Sequence, residues 1–243
     1  MRAIFKKELL SFFTNPVGYL IISLFLLLNG LFLWVFKGDF NVFDYGFANL
    51  SLFFLLTPWV FLFIIPAITM KSFSEEKKTG TLELLMIKPI GKYQLVGGKF
   101  LGAFFLVILA LIPTLFYVLT ISNLGISNGN YDTGLVIGSY IGLTFLVMSY
   151  TAIGIFSSTL TSNQIVAFIL ALVMSFIFYY GFEALSTMFD GSALQFYLNN
   201  LGMKSHFEGI ALGVLKIQDV VYFLSITLLF LFLSKIQLQK PQK

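Results

Sequence analysis

Six long stretches of this chain carry no charged residue, and they restrict its fold more than any other feature. Their bounds are about 17–36, 50–70, 100–121, 135–156, 164–182 and 220–234. A helix rises about 1.5 Å per residue, so roughly 20 apolar residues cross the hydrocarbon core of a bilayer. Because lipid offers no hydrogen bonds, each stretch must satisfy its own backbone, which a helix does. We therefore predict an all-α integral membrane protein with six transmembrane helices.

The composition excludes a soluble domain. Hydrophobic residues make up 58% of the 243 residues and charged residues 11%, whereas a soluble domain is about 25% charged. The absence of cysteine excludes a disulfide framework, a thiol nucleophile and a thiolate metal site. The chain has neither a predicted cleavable signal peptide nor the basic and aromatic groove typical of nucleic-acid binding. Membrane lipid is therefore an expected partner, and nucleic acid is not.

The placement of lysine and arginine predicts the orientation. Twelve of the 15 basic residues lie in the N-terminal segment, in residues 71–99 and in the C-terminal tail. Seven of the 11 acidic residues lie in the other connections. Because positively charged loops stay in the cytoplasm, we predict that both termini and residues 71–99 are cytoplasmic. Residues 183–218 then form the longest outer loop, with short helices at the outer surface.

Residues 1–15 predict an amphipathic helix that lies along the membrane interface. One half of the helical wheel is apolar, except that Glu8 intrudes on it. The apolar members are Ile4, Phe5, Leu9, Phe12 and Phe13. The alternative is a frayed basic tail.

Local features of the later spans predict how the bundle packs. Small residues four apart at the start of the fourth span favour close helix approach within the bundle, with a dimer seam or a substrate path as alternatives. These residues are Gly134, Gly138 and Gly142. Serines and threonines at 157–162 predict a tight turn. The last span is short, so we expect either a helix that begins before Asp219 or local thinning of the bilayer.

The polar stretch 71–92 between the second and third spans predicts a short helix at Thr79–Ile87. Gly80 is a permissive N-cap, Glu83 falls at the third helical position, and Pro89 stops the run. Apolar residues recur at helical spacing at Leu82, Leu85 and Met86. Such a helix suits docking of a partner from the aqueous side; the alternative is an ordinary loop lying on lipid headgroups.

Enzymatic chemistry has little support in this sequence. The single histidine, His206, is interpreted as a structural residue, because Glu208 is too close in sequence to form a helical metal pair with it. None of the six apolar stretches contains Asp, Glu, Lys, Arg or His, which argues against an ion-coupled carrier. Gly97-Gly98-Lys99, which leads into the third span, lacks the spacing of a phosphate-binding loop. If ATP supplies the energy, another polypeptide must bind it.

Three stretches carry a family resemblance. Glu76-Lys77-Lys78-Thr79-Gly80-Thr81-Leu82-Glu83-Leu84-Leu85, closed by Pro89, resembles the signature of ABC-2-type transporter permeases. Lys7-Glu8-Leu9 with Phe12, Phe13, Pro16 and Tyr19 resembles the N-terminal interfacial helix of that family. Ser205-His206-Phe207-Glu208 with Gly213, Asp219 and Tyr222-Phe223-Leu224-Ser225 is similar to the gliding-motility-associated permease subunit of Bacteroidetes bacteria, the GldF type.

The resemblance implies a single permease domain over 1–243 in the bacterial inner membrane. It implies a pair of ATPase subunits that bind ATP and magnesium, a second permease or auxiliary membrane subunit, and no cofactor on this chain. The segment 71–92 would be the coupling segment. Rim contacts with the ATPase would come from Glu75, Glu76, Lys77, Lys78 and Glu83, the turn from Gly80, and helix packing from Thr81, Leu82, Leu84, Leu85 and Met86. A non-transporting scaffold for motility machinery and an ion-coupled carrier remain alternatives.

Overall fold

The computed structural model describes residues 1–47, 49–87, 91–124, 131–189 and 191–239, without the side chains of Tyr45 and Met86. Pro89 lies outside these residues. Within them the chain forms 14 α-helices and no strand: α1 (Arg2–Thr14), α2 (Val17–Gly30), α3 (Val42–Tyr45), α4 (Ser51–Thr69), α5 (Lys71–Lys78), α6 (Thr81–Ile87), α7 (Lys92–Leu111), α8 (Leu115–Leu124), α9 (Thr133–Leu160), α10 (Gln164–Phe176), α11 (Phe182–Ser186), α12 (Ala193–Asn199), α13 (Met203–Ala211) and α14 (Ile217–Gln237).

Among the described residues, six helical runs are long and apolar enough to cross a membrane. They are Val17–Val35, Ser51–Lys78, Lys92–Leu124, Thr133–Leu160, Gln164–Phe189 and Ile217–Gln237. The predicted all-α membrane architecture is confirmed. Several runs are longer than the uncharged stretches, because helices continue through polar residues at their ends. The last helix begins before Asp219 and therefore needs no thinning of the bilayer.

Two sequence-based boundaries need correction. The fourth span continues as helix to Leu160, through Ser157, Ser158 and Thr159, so the predicted turn begins only at Thr161. Ser158 and Thr159 satisfy their hydroxyls inside the helix, since they donate to backbone carbonyls three residues earlier. The fifth span continues as helix to Phe189, so the first residues of 183–218 belong to it, while α12 and α13 are the short helices expected in this segment.

The second and fourth spans form the interior of the bundle. Within an apolar stretch of 18 residues in each of these two spans, 78% and 61% of the residues are buried. In the other four spans the buried share is 22% to 33%. The central helix is α9, which packs against α4, α7, α10, α13 and α14. At Gly154 a Cβ would overlap the side chain of Thr69, so α4 and α9 are in close contact there. The four outer spans thus present most of the apolar surface that lipid would cover.

Helix α13, in the segment 183–218, packs against the glycine stripe on α9. A Cβ on Gly138 would overlap the carbonyl oxygen of Ile210 and lie 3.0 Å from the Cα of Gly213. A Cβ on Gly142 would lie 3.1 Å from the ring of Phe207. At Gly134, by contrast, the nearest atom is an Asp132 side-chain oxygen at 3.3 Å. The stripe therefore serves packing within the chain, mainly at its second and third members.

We expect Gly138→Ala to lower the free energy of unfolding by about 1–3 kcal/mol, because the added methyl meets backbone atoms that cannot rotate away. Gly134→Ala is the matched control, since its methyl meets only a side chain and alanine is the better helix former. Thermal unfolding of both variants in the same detergent measures the difference. Equal midpoints would contradict the packing role of Gly138.

Candidate functional site

The polar segment after the second span consists of two short helices joined by a tight turn. Helix α5 follows α4 after a single turn residue, Met70. Its end is closed by Thr79, whose N–H donates to the Glu75 carbonyl at 2.9 Å. Gly80 then adopts a left-handed φ of +70°, which favours glycine. The chain thus reverses direction at Gly80, and α6 begins at the next residue, which places Glu83 in its first turn.

Helix α6 divides its apolar residues between an inner and an outer face. Leu82 is fully buried and anchors the helix to the bundle, while Leu85 is half-buried. Leu84 and Ile87 lie three residues apart on the outer face and are 63% and 80% exposed. Thr81 and Glu83 are also exposed, and the side chain of Met86 lies outside the described residues. The chain therefore presents an apolar strip with a carboxylate beside it, the outer face of α6.

A buried lysine connects the base of this segment to two other elements. Lys99 on α7 is 3% exposed, and its ammonium lies 3.0 Å from Glu8 of α1 and 2.8 Å from Glu76 of α5. It also lies 5.1 Å from the ring centre of Phe73. Both carboxylates are 15% exposed, so the group is largely shielded from water. We call Glu8, Lys99 and Glu76 the ion triad.

Close packing of α1 on α7 positions the ion triad. A Cβ on Gly98 would lie 2.7 Å from the side chain of Ile4, and a Cβ on Gly102 would lie 2.7 Å from Cβ of Glu8. These two glycines, four residues apart, let the backbones approach and bring Glu8 beside Lys99. The sequence did not predict this site, and Lys99 was counted only among the basic residues that indicate a cytoplasmic segment. The available signal was Glu8 itself, a carboxylate on the apolar half of the α1 wheel.

Lys77 makes a second connection between α5 and the bundle. Its ammonium donates to the carbonyl oxygen of Thr159 at 2.5 Å. Thr159 lies in the last turn of α9, where carbonyls without helical partners favour a cation. Of the four charged residues predicted at the ATPase rim on α5, Glu76 and Lys77 therefore bind within the chain. Glu75 and Lys78 are exposed.

Comparison with known families decides the class of protein. The family model for ABC-2 family transporter proteins matches residues 2–239. The chain belongs to the ABC-2 transporter family. A search of curated proteins found no significant match. Members of the ABC-2 family are membrane transport components that are not themselves catalytic, so this chain is a multi-pass membrane protein of a transport system.

On the opposite side of this ABC-2 chain, α13 carries a second charged cluster. Lys204 lies 2.7 Å from Glu183 and 3.6 Å from Glu208. Partial burial opposes its charge, but the hydrogen bond with Glu183 and the nearby Glu208 together hold the pKa of the Lys204 ammonium above its ordinary value. The cluster thus fixes α13 to the end of the fifth span.

His206 is hydrogen-bonded on both sides of its ring. Its Nδ1 lies 2.6 Å from Asp219 Oδ1, and its Nε2 lies 2.9 Å from the carbonyl oxygen of Asn200. The ring stacks on Tyr222, with centroids 4.1 Å apart. In the described part of the chain, no three His, Cys, Asp or Glu side chains are placed to hold a metal ion. His206 therefore joins the segment 183–218 of the ABC-2 chain to its last span.

Proposed function

We propose that this chain is the permease subunit of an ABC transporter and that the outer face of α6 docks on a separate ATPase subunit. The observation that carries the proposal is the exposure of Leu84 and Ile87 on a helix whose opposite residue, Leu82, is fully buried. An apolar strip outside the span region, rimmed by polar residues, is typical of a protein-binding surface. Glu83, Glu75 and Lys78 supply exposed charges near it.

The contacts of α5 support a mechanical role for this docking. Helix α5 follows the interior second span, and it is tied to α9 by Lys77 and to α1 and α7 by the ion triad. A displacement of α6 would therefore act on several spans at once. Packed helices change between discrete arrangements rather than deforming continuously. ATP and magnesium would bind the ATPase pair, and closure of that pair would move α6 and reorient the bundle.

The finer assignment rests on the sequence resemblance. Similarity of residues 205–225 to the GldF type supports a role in gliding motility, in the bacterial inner membrane, beside a second permease or an auxiliary membrane subunit. The distribution of basic residues supports cytoplasmic termini and a cytoplasmic α6, on the side where ATP is available.

Purification of the full chain from its own membranes in mild detergent tests the proposal. We expect an ABC ATPase to co-elute, and we expect its rate of ATP hydrolysis to rise when both chains are reconstituted together in vesicles. The ATPase without the permease is the control. An ATPase that co-elutes but hydrolyses ATP at an unchanged rate would favour the scaffold. Absence of any ATPase, with solute uptake driven by an ion gradient, would favour the carrier.

A further inference from the structure

A cavity of about 300 Å³ lies beside the ion triad, between α1, α5 and the polar ends of the first two spans. Its apolar wall is formed by Phe12, Val17 and Ile68. Val17 opens the first span, and Ile68 lies in the last turn of α4. The cavity therefore lies where apolar span meets polar surface, at the level of lipid headgroups, and its volume is at the lower end of ligand pockets.

The polar wall of the cavity carries balanced and incompletely paired charges. Lys7, Lys71 and Glu75 line it, and none of them forms an ion pair within the described residues. Lys99 and the triad carboxylates also line it, and the triad as a whole bears one excess negative charge. The wall thus offers two cations and two uncompensated negative charges. A ligand with one charge of each sign complements this wall better than a pure anion or a pure cation.

One buried atom next to the cavity favours a cation that can donate a hydrogen bond. Glu76 accepts from Lys99 through Oε1, but its Oε2 is buried and has no hydrogen-bond partner in the described part of the chain. A buried carboxylate oxygen without a donor is costly, and it is satisfied only by an N–H or O–H group. A primary ammonium can donate to it. A quaternary ammonium cannot, since its nitrogen carries four carbon substituents and no hydrogen.

We propose that this cavity binds the headgroup of a membrane phospholipid with a phosphate and a primary ammonium, as in phosphatidylethanolamine. Lys7 and Lys71 would bind the phosphate, and Glu75 and Glu76 the ammonium. The acyl chains would leave the cavity past Val17 and Ile68, along the first two spans. A lipid in this place would connect the interfacial helix α1 to α5, and it would fill the space next to the ion triad.

Native mass spectrometry of the purified full chain tests this proposal. The chain is titrated with phosphatidylethanolamine, phosphatidylcholine and phosphatidylglycerol that carry identical acyl chains, and with free phosphoethanolamine. We expect phosphatidylethanolamine to be retained about ten-fold more tightly than the other lipids, the size expected for one charge-assisted hydrogen bond. We expect no comparable binding of free phosphoethanolamine.

Two variants locate the binding. Lys71→Gln, which weakens the phosphate contact that all three lipids share, should reduce the retention of all of them. Glu75→Gln, which weakens the ammonium contact, should reduce the preference for phosphatidylethanolamine about ten-fold. Glu83→Gln, which removes an exposed charge outside the cavity, should leave it unchanged. Equal retention of phosphatidylethanolamine and phosphatidylcholine would overturn the ammonium site. A preference for phosphatidylglycerol would show a simple anion site, and tight binding of free phosphoethanolamine would show a soluble ligand. An equal loss of lipid preference in Glu83→Gln would show that the lipid binds elsewhere. Each of these results would overturn the proposal without bearing on ATPase docking.

Discussion

Replacing Lys99 by methionine is expected to lower the free energy of unfolding by about 3–5 kcal/mol, the usual cost of removing one partner from a buried ion pair. Methionine keeps most of the volume of the side chain beside Phe73, so a cavity contributes little. The loss comes from Glu8 and Glu76, which are 15% exposed and would face each other without the ammonium between them. Both α1 and α5 should loosen from α7.

Thermal unfolding in detergent measures this effect, with Lys78→Met as the matched control. Lys78 lies on α5 but is exposed, so its loss should change the free energy of unfolding by no more than about 1 kcal/mol. The triple variant Lys99→Met, Glu8→Gln, Glu76→Gln should recover most of the lost stability, because no buried charge remains. Similar midpoints for Lys99→Met and Lys78→Met would contradict the importance of the ion triad.

The paired substitution Leu84→Asp and Ile87→Asp is expected to weaken ATPase binding at least about 30-fold. Truncating or charging a central interface residue costs about 2 kcal/mol or more, and these two form the exposed strip of α6. Both side chains make few contacts within the permease, since they are 63% and 80% exposed. The unfolding midpoint of the permease should therefore stay close to that of the wild type. Co-purification of the ATPase at graded concentrations measures the binding.

Apolar substitutions at the same two positions provide the control for that experiment. Leu84→Met with Ile87→Leu keeps the apolar strip and should keep the ATPase bound. If the aspartate variant bound the ATPase as tightly as the wild type, the outer face of α6 could not be the docking surface. A loss of binding together with a lowered unfolding midpoint would show that the strip serves the fold of the permease itself.

In the segment 71–92, the α6 helix could be predicted from local sequence, whereas the preceding helix α5 was not predicted. The α6 helix begins at Thr81 and holds Glu83 in its first turn, because a left-handed glycine ends one helix and frees the chain to start another. The division of its residues into inner and outer faces was not predictable to the same degree. Periodicity groups Leu82, Leu85 and Met86, but it does not say whether this group or Leu84 with Ile87 faces the bundle.

The sequence alone determined the number of spans and the all-helical class. Each segment that crosses the bilayer must by itself be long enough, free of charge and hydrogen-bonded internally. Only the tertiary structure decided which charges are buried. Glu8 and Lys99 lie 91 residues apart in sequence, and Lys77 and Thr159 lie 82 apart. Glycines at 98 and 102 let α1 and α7 approach closely enough to form the first of these contacts. These contacts depend on several helices at once, so no local pattern determines them.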